Sequence, residues 1–362
     1  MKVAMRADSS LEIGTGHIMR CLTIADQLRK RGHTCYFICR NHPGNIITKI
    51  EKKGYEVHTL NCNTDTSDKS LSHSHWLRGS QLNDARQCIS YLKTKEIDWL
   101  IVDHYALNTE WETPLRPYCK NIMAIDDLAD RKHNCDILLD QTYGHTPERY
   151  QELLPSNCIP LCGSDYILLR PEFAQYRSNS LRRRSRPSLK NILITMGGID
   201  KDNVTENVLN SLEKCRLPQQ CTLTVVMGSE APFLSRVQAK STTMRWKTKI
   251  EIDSTDMAQL MTESDLAIGA AGATSWERCC LGLPTLLLVL AENQKSIAQK
   301  LTHAGAVEPL VSPAALINHP LLNQQYNYEQ QLEKLSVEAA KITDGNGVRN
   351  VISHLTRNLN KI

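Results

Sequence analysis

The sequence predicts an α/β protein built from two doubly wound, Rossmann-like domains. Apolar runs that suit buried strands alternate with amphipathic helical patterns along most of the 362 residues. This alternation is typical of parallel sheets covered by helices on both faces. In addition, three junctions between a predicted strand and a predicted helix carry turns of glycine and other small residues. Such turns bind ligands at the carboxyl ends of strands, so two halves of similar size predict a ligand cleft between the domains.

The first half is predicted to form one domain, residues 1–177. Its predicted strands are 2–7, 34–39, 57–60, 99–103, 121–125 and 137–139, and its predicted helices are 17–31, 45–53, 76–95 and 110–118. The polar, basic stretch SNSLRRRSRPS then predicts a linker at 178–188.

The second half, residues 189–362, repeats the pattern and is predicted to form the C-terminal domain. Its predicted strands are 191–195, 222–227, 266–269 and 285–289, and its predicted helices are 202–214, 256–263, 274–281 and 294–303. Two further helical patterns, at 328–343 and 347–358, are assigned to the same domain.

The composition narrows the class of protein. Hydrophobic residues make up 41% and charged residues 23%, as in soluble globular proteins. A net charge of +4 is too small to predict a nucleic-acid partner. Charges near the N-terminus predict no signal peptide, and the longest apolar run, 283–291, is too short to cross a bilayer. The 13 cysteines are odd in number and lack Cys-x-x-Cys spacing, which favours reduced thiols in the cytoplasm over disulfides or zinc.

The run Gly14-Thr15-Gly16-His17 is the first candidate site, between a predicted strand and an amphipathic helix. Glycines such as Gly14 and Gly16 let the backbone approach a ligand, and the free N–H groups of a helix start attract an anion. The same positive end disfavours a protonated imidazole, so His17 is predicted to be neutral and able to accept a proton. The alternative is a solvated histidine or one that caps the helix.

Two more turns of this kind occur in the second half. Gly197 and Gly198 follow an apolar strand, and Asp202 and Asn203 are predicted to cap the next helix. The stretch GAAGATSWE, which includes Gly272, is predicted to cradle a diphosphate through backbone N–H groups. No Walker A or Gly-x-Gly-x-x-Gly pattern is present, which disfavours a dinucleotide redox cofactor.

Several motifs resemble a known family over residues 1 to about 305. They are RADSSLEIGTGHIMRCLTIAD, VDHY, IDDLADRKHNCDILLDQ, LLRPEF, ITMGGID and GAAGATSWERCCLGLPTLLLVLAENQ. Together they resemble the nucleotide-sugar hydrolases of the pseudaminic acid pathway (PseG type). That family is similar in fold to the GT-B glycosyltransferases, among them the UDP-N-acetylglucosamine transferase of peptidoglycan synthesis. The resemblance implies hydrolysis of UDP-2,4-diacetamido-2,4,6-trideoxy-β-L-altropyranose to free sugar and UDP, on the route to an acidic sugar for surface or flagellin glycosylation.

The resemblance also implies roles for individual residues. His17 matches the catalytic base of the family, and Tyr105 matches a tyrosine near the sugar. The remaining matches lie in the turn that binds diphosphate and ribose and in the Glu-Asn-Gln segment: Thr274, Ser275, Glu277, Asn293 and Gln294. Many relatives have Gly-Gly-Ser in the third turn, where this chain has Ala271-Gly272-Ala273-Thr274. That exchange keeps the residues small.

Other polar residues leave alternatives open. Arg6 and Asp8 either orient the substrate or form an ion pair. His104 is expected to pack against the domain, since it alternates with its neighbours along a strand. Asp126 and Asp127 are expected to cap a loop or to orient substrate without a metal ion.

The expected reaction is an inverting, metal-independent attack by water that His17 activates, with no cofactor. The UDP-sugar is the expected partner, without nucleic acid or membrane, and the protein is expected to be a monomer. A glycosyltransferase, a nucleotide-sugar 2-epimerase and a non-catalytic UDP-sugar-binding module are the alternatives.

Overall fold

The computed structural model describes residues 1–62, 71–324 and 327–357. The chain forms two compact units. Unit 1 contains Met1–Leu168 and the segment that starts at Gly347, and unit 2 contains Leu169–Asn346.

Unit 1 contains a seven-stranded parallel sheet in the order β3-β2-β1-β4-β5-β6-β7. Its strands are β1 (Lys2–Ala7), β2 (Thr34–Arg40), β3 (Glu56–Leu60), β4 (Ile97–Asp103), β5 (Cys119–Ile125), β6 (Ile137–Asp140) and β7 (Ile159–Cys162). Its helices before the crossing to unit 2 are α1 (Gly16–Lys30), α2 (Ile47–Lys52), α3 (Gln81–Leu92) and α4 (Thr109–Leu115).

Unit 2 contains a six-stranded parallel sheet in the order β10-β9-β8-β11-β12-β13. Its strands are β8 (Asn191–Thr195), β9 (Thr222–Met227), β10 (Lys247–Ile252), β11 (Leu266–Ala270), β12 (Thr285–Leu288) and β13 (Glu308–Leu310). Its helices are α5 (Pro171–Arg184), α6 (Val204–Leu212), α7 (Leu234–Thr243), α8 (Met257–Glu263), α9 (Thr274–Cys280), α10 (Lys295–His303) and α11 (Tyr328–Ala340), and α12 (Gly347–Arg357) follows in unit 1.

The strand order places the sequence motifs. In each sheet, successive strands are added toward one edge and then toward the other. The order of addition reverses between β1 and β4 in unit 1 and between β8 and β11 in unit 2. Loops that leave the carboxyl ends of the strands on either side of such a reversal diverge and open a crevice. The turn at 14–17 and the segment 103–105 therefore lie at one reversal, and the turns at 197–198 and 272–277 lie at the other.

The predicted fold class is confirmed as two doubly wound α/β units. The strands that the sequence did not reveal, β7, β10 and β13, all lie at sheet edges. β7 and β13 contain proline, and β10 reads KTKIEI with charged residues at alternate positions. Edge strands tolerate both features because one side needs no ladder partner, so the continuous apolar run that marks a central strand is absent.

The predicted linker at 178–188 is wrong for most of its length. Residues Pro171–Arg184 form α5, which packs against α8, α9 and α11 in unit 2. The basic run is only partly solvated: Arg182 and Arg186 are exposed, but the buried Arg184 donates hydrogen bonds to the carbonyl oxygens of Met261, Ser264 and Leu281 at 2.7, 2.7 and 3.0 Å. Guanidinium groups are favoured at helix C-termini, where carbonyl groups lack partners.

The C-terminal helix is also placed differently from the predicted boundary. α12 belongs to unit 1 and packs against α1. Val351, Ile352 and Leu355 are fully buried in the core around β1, and Trp99 of β4 donates its indole N–H to the carbonyl of Leu355 at 3.1 Å. A helix with one strongly apolar face covers whichever sheet exposes a matching face, and local periodicity does not identify that sheet.

Candidate active site

The glycine turn of unit 1 has the backbone geometry of a ligand loop. Gly14 has φ +77°, and a side chain at Gly14 or Gly16 would meet no other atom within 4 Å. The hydroxyl of Ser10 holds the turn by accepting the N–H groups of Glu12 and Ile13 at 3.1 and 2.9 Å. Thr15 does not cap α1 with its side chain. The side chain of Thr15 therefore satisfies none of the first N–H groups of the helix.

His17 is paired with a residue that the sequence analysis did not single out. Its Nδ1 lies 2.6 Å from Oδ1 of Asp103, at the end of β4. Nδ1 is also 3.3 Å from a guanidinium nitrogen of Arg20, but the shorter contact is to an acceptor, so Nδ1 carries the hydrogen and donates it to Asp103. Nε2 is then the basic nitrogen. It makes no hydrogen bond to any residue that the structure describes.

Arg20 fixes the charge of Asp103. It lies one helical turn after His17 and donates to both carboxylate oxygens at 2.5 Å. Asp103 is completely buried. Burial favours the neutral carboxyl, but Arg20 and His17 hold the pKa of Asp103 well below its usual range. An ionised Asp103 orients His17 and stabilises the imidazolium that forms when Nε2 takes a proton.

Tyr105 lies beside His17, at 4.8 Å between ring centroids in an edge-to-face arrangement. Its hydroxyl donates to Oδ1 of Asp127 at 2.6 Å. Trp76, from the segment before α3, stacks on Tyr105 at 5.7 Å and meets His17 edge-on at 6.0 Å. The structure therefore brings together the predicted residues His17 and Tyr105 and adds Asp103, Arg20 and Trp76.

Arg6 and Asp8 do not reach the surface. Both side chains are fully buried, and they pair at 2.5 Å. Arg6 also contacts Asp84 at 2.8 Å, and Asp84 in turn pairs with Arg40 at 2.5 Å. Of the two predicted alternatives, the structure supports the ion pair, because a side chain without exposed surface cannot contact a substrate.

The neighbouring polar residues also form internal contacts. His104 packs inside as predicted: it is buried, accepts the N–H of Ala106 at 3.1 Å and lies 3.2 Å from Asp8. Asp126 is buried, pairs with Arg131 at 2.8 Å and accepts the N–H of Ala129 at 3.0 Å. In the described parts of the chain, no group of three or more His, Cys, Asp or Glu residues is arranged to hold a metal ion.

In unit 2 the first turn presents bare backbone. Gly197 has φ +94°, and a side chain at Gly197 or Gly198 would meet nothing within 4 Å. Of the predicted caps, Asn203 occupies the N-cap position of α6 but neither it nor Asp202 caps the helix with its side chain. Asp200 instead accepts the N–H groups of Val204 and Thr205, both at 2.9 Å.

The predicted residues of the second turn of unit 2 differ in their exposure to solvent. Gly272 and Thr274 are partly exposed, whereas Ser275 is 1% exposed and accepts a hydrogen bond from Arg278 at 2.9 Å. The hydroxyl of Ser275 therefore faces the interior, and a substrate contact by Ser275 stays a prediction. Glu277 remains partly exposed. Burial raises the pKa of Glu277 to about 7 even though Arg170 lies 3.8 Å away.

The Glu-Asn-Gln segment follows β12. The side-chain oxygen of Gln294 accepts the N–H of Leu290 at 2.9 Å and so holds its own loop. The side chain of Asn293 lies outside the part of the chain that the structure describes.

Two of the residues that the sequence analysis missed could have been found from the sequence pattern. Asp103 ends the strand next to β1, and Arg20 follows His17 at helical spacing, so strand order and helix periodicity together could have indicated both. Trp76 left no such signal, because the sequence predicted it as the first residue of a helix at 76–95, whereas α3 begins only at Gln81. Trp76 reaches His17 through a 3₁₀ turn (Ser74–Leu77) between β3 and α3.

The fold and the second unit indicate the class of protein. Residues 191–355 match the family model "Glycosyltransferase family 28 C-terminal domain". Over 98% of its length the chain resembles the crystal structure of MurG of Acinetobacter baumannii, covering 99% of that chain with a TM-score of 0.67 and 16% identity. This likeness confirms the predicted GT-B fold class.

Two relatives in sequence are more specific. The chain is 28% identical, over 84% of its length, to the UDP-2,4-diacetamido-2,4,6-trideoxy-beta-L-altropyranose hydrolase of Campylobacter jejuni and covers 97% of that protein. It is 27% identical, over 82% of its length, to the uncharacterized protein MJ1062 of Methanocaldococcus jannaschii, and that match spans 57% of the archaeal protein. The resemblance indicated by the motifs is confirmed.

No helix within the described residues combines the length and the apolar character needed to cross a membrane.

Proposed function

We propose that this protein is an enzyme that hydrolyses a UDP-linked 2,4-diacetamido-2,4,6-trideoxy sugar to the free sugar and UDP, in pseudaminic acid biosynthesis. The observation that carries the proposal is the His17–Asp103 pair beside an open glycine turn, in a chain similar to a hydrolase of that substrate. A base held in one tautomer by a buried carboxylate is the arrangement that activates water or a hydroxyl group.

In the proposed mechanism, Nε2 of His17 removes a proton from a water molecule. The water oxygen forms a bond to the anomeric carbon from the face opposite UDP. The bond between that carbon and the phosphate oxygen breaks, and its electron pair leaves with UDP. A single displacement inverts the anomeric centre. Asp103 stays ionised because Arg20 holds it, and it stabilises the imidazolium that forms.

Unit 2 is proposed to bind the UDP portion. The backbone at Gly197, Gly198, Gly272 and Thr274 would donate to the diphosphate, and Glu277 would accept hydrogen bonds from the ribose hydroxyls. Fixed N–H groups can stabilise the negative charge that grows on the leaving diphosphate, and losing one such donor costs about 100- to 1,000-fold in rate. The proposed step uses no metal ion or cofactor.

The proposal is tested by NMR of the purified protein with UDP-2,4-diacetamido-2,4,6-trideoxy-β-L-altropyranose in ¹⁸O-water with EDTA. We expect free sugar labelled at C1 and formed first as the inverted anomer. Label in UDP would mean attack at phosphorus and would overturn the role of His17. An absence of turnover, or a UDP-sugar that is only epimerised, would overturn the hydrolase assignment.

The role of His17 has its own test. His17→Ala should lower kcat by about 100- to 10,000-fold and leave the Kd for UDP within about twofold. His58→Ala, on the edge strand β3 of the same sheet, is the control and should keep wild-type kcat. A His17→Ala variant that no longer binds UDP would make His17 a ligand contact instead of a base.

A further inference from the structure

Aromatic rings from two parts of unit 1 form a continuous surface beside His17. We call this surface, formed by His73, Trp76 and Tyr105, the aromatic wall. His73 lies 4.6 Å from Trp76 and 5.3 Å from Tyr105 between ring centroids, and Trp76 stacks on Tyr105 at 5.7 Å. His73 and Trp76 are each partly exposed. Tyr105 is 8% exposed, so the exposed part of the wall beside the proposed base is formed by the indole of Trp76 and the imidazole of His73.

The position of the wall is fixed at both of its edges. His75 pairs at 2.9 Å with Glu12 in the loop before the glycine turn, and both side chains are about half exposed. Leu77 is 1% exposed, and Ser80 caps α3 by accepting the N–H of Asn83 at 3.3 Å. Because the segment is anchored on either side of Trp76, the indole is held toward His17 and Tyr105.

Asp127 adds a hydrogen-bond acceptor to the same place. Its Oδ1 accepts the hydroxyl of Tyr105, and its Oδ2 lies 3.9 Å from Arg20, beyond hydrogen-bond distance. The Asp127 side chain is 22% exposed. Burial raises the pKa of Asp127 although Arg20 and Tyr105 oppose the shift. One oxygen therefore lacks a donor among the described residues, and a bound ligand can supply one.

We propose that the aromatic wall and Asp127 select the sugar: Trp76 packs on an apolar methyl group, and Asp127 accepts an amide N–H. This proposal rests on the proposed function and deepens it, since it assigns specificity for an N-acylated deoxy sugar to named residues. A sugar with a hydroxymethyl group would bury an unpartnered hydroxyl against the wall. An apolar pocket rejects an added hydroxyl by only about 100-fold, so discrimination of about 10- to 100-fold is expected.

Kinetics on two substrates test the proposal. The probes are the UDP-linked 2,4-diacetamido-2,4,6-trideoxy sugar and its analogue with a hydroxymethyl group at C5. For the wild type, kcat/KM should favour the methyl substrate by about 10- to 100-fold. Trp76→Ala should reduce this preference to about threefold or less, and Trp76→Phe should retain most of it.

Asp127→Asn should raise KM for both sugars by about tenfold, the loss typical of a hydrogen bond to a charged group, and leave the methyl preference intact. Tyr91→Ala is the matched control, because it removes a ring stacked on His58 at the amino-terminal edge of the sheet. Tyr91→Ala should change neither the KM nor the methyl preference. None of these variants should change the Kd for UDP.

A binding experiment separates failure of this inference from failure of the proposed function. Saturation-transfer NMR measures contact between the intact methyl substrate and two proteins. One carries His17→Ala alone, and the other carries both His17→Ala and Trp76→Ala. Loss of transfer to the methyl group with Trp76→Ala supports the wall, even if the wild type does not hydrolyse the substrate. Hydrolysis with an unchanged methyl preference in Trp76→Ala overturns the wall and leaves the function standing. An absence of transfer to the sugar in both variants overturns the inference.

Discussion

The carboxyl edges of the two sheets carry different chemical groups: paired charged side chains in unit 1 and glycine backbone in unit 2. In unit 1 an aspartate stands at the end of four neighbouring strands, and each pairs with an arginine at 2.5 to 2.8 Å: Asp8 with Arg6, Asp103 with Arg20, Asp126 with Arg131, and Asp140 with Arg149. In unit 2 the corresponding turns carry Gly197, Gly198 and Gly272, where added side chains would meet nothing within 4 Å.

The difference shows how one fold class serves two purposes. Paired charges at the edge of unit 1 hold titratable groups in fixed protonation states, which a proton-transfer step requires. Bare backbone at the edge of unit 2 offers N–H donors that favour an anion and carry no titratable proton of their own. Four substitutions distinguish these roles.

The largest effect is expected from Asp103→Asn in unit 1. An asparagine can donate to Nδ1 and so favours the wrong tautomer of His17, and the equivalent change in a serine protease lowers kcat by about 10,000-fold. We expect a fall of about 100- to 10,000-fold in kcat with an unchanged Kd for UDP. Asp26→Asn, which removes an exposed pair with Lys53 at the far end of α1, is the control. A kcat within threefold of the wild type would show that Asp103 does not act through His17.

Asp84→Asn tests whether the other charges of unit 1 are structural. The change leaves the buried Arg6 and Arg40 without their shared carboxylate, and breaking a buried pair costs about 3–5 kcal/mol of unfolding free energy. Urea unfolding at neutral pH measures the loss, and kcat of the folded fraction should not change. A large fall in kcat without a loss of stability would place Asp84 in the site.

The same network predicts the sign of a pH effect on stability. Burial opposes ionisation, but Arg6 and Arg40 lower the pKa of Asp84 to about 2. A carboxyl with a lowered pKa stabilises the fold above its usual pKa and loses that contribution as the pH falls toward its folded value. The difference in unfolding free energy between wild type and Asp84→Asn should therefore narrow as the pH falls from about 4 to about 2.

Glu277 predicts a pH effect on binding in unit 2. Its pKa is raised to about 7 by burial, and its ionised form is the better acceptor for ribose hydroxyls. Affinity for UDP-N-acetylglucosamine, whose diphosphate has no proton to gain near neutrality, should fall as the pH drops below 7, approaching tenfold per unit. Calorimetry between about pH 6 and pH 8.5 measures this. Glu277→Gln should remove the dependence, and a dependence that persists in Glu277→Gln would assign it to another group.

The smallest effect is expected from Gly197→Ala. A side chain at φ +94° costs about 1–2 kcal/mol, which the loop relieves by moving away from its ligand-binding conformation. We expect the Kd for UDP to rise about 3- to 10-fold. Gly32→Ala carries the same strain at φ +80° in open space after α1 and should lower the melting temperature without changing the Kd. Equal affinity in both variants would remove the Gly197 loop from the site.

Much of the fold could be predicted because its central strands are covered on both faces. β1, β8 and β9 begin and end at the predicted residues, because each is a mainly apolar run bounded by polar residues. The linker prediction failed for a related reason. The polar sequence of α5 reads as solvated, yet Arg184 finds its partners in carbonyl groups some 80 to 100 residues further along the chain.

The candidate site was predictable only where its residues are local in sequence. The run Gly14 to His17 lies on one turn, and glycine content with helix periodicity identifies it. Arg6 and Asp8 had the residue types of a substrate site, but the fold encloses them with Asp84 and Arg40. Burial depends on what covers a side chain, and the covering residues come from distant parts of the sequence.

The sequence by itself determined the two α/β units, the glycine turns and the identity of the proposed base, because periodicity and backbone freedom are local properties. Only the tertiary structure decided the partners of that base. Asp103 is 86 residues from His17, and Trp76 reaches the same place from a 3₁₀ turn that the sequence predicted as the start of a helix. The parallel order of β1 and β4 sets these residues side by side, and pairing across a sheet is fixed by the packing of the whole unit.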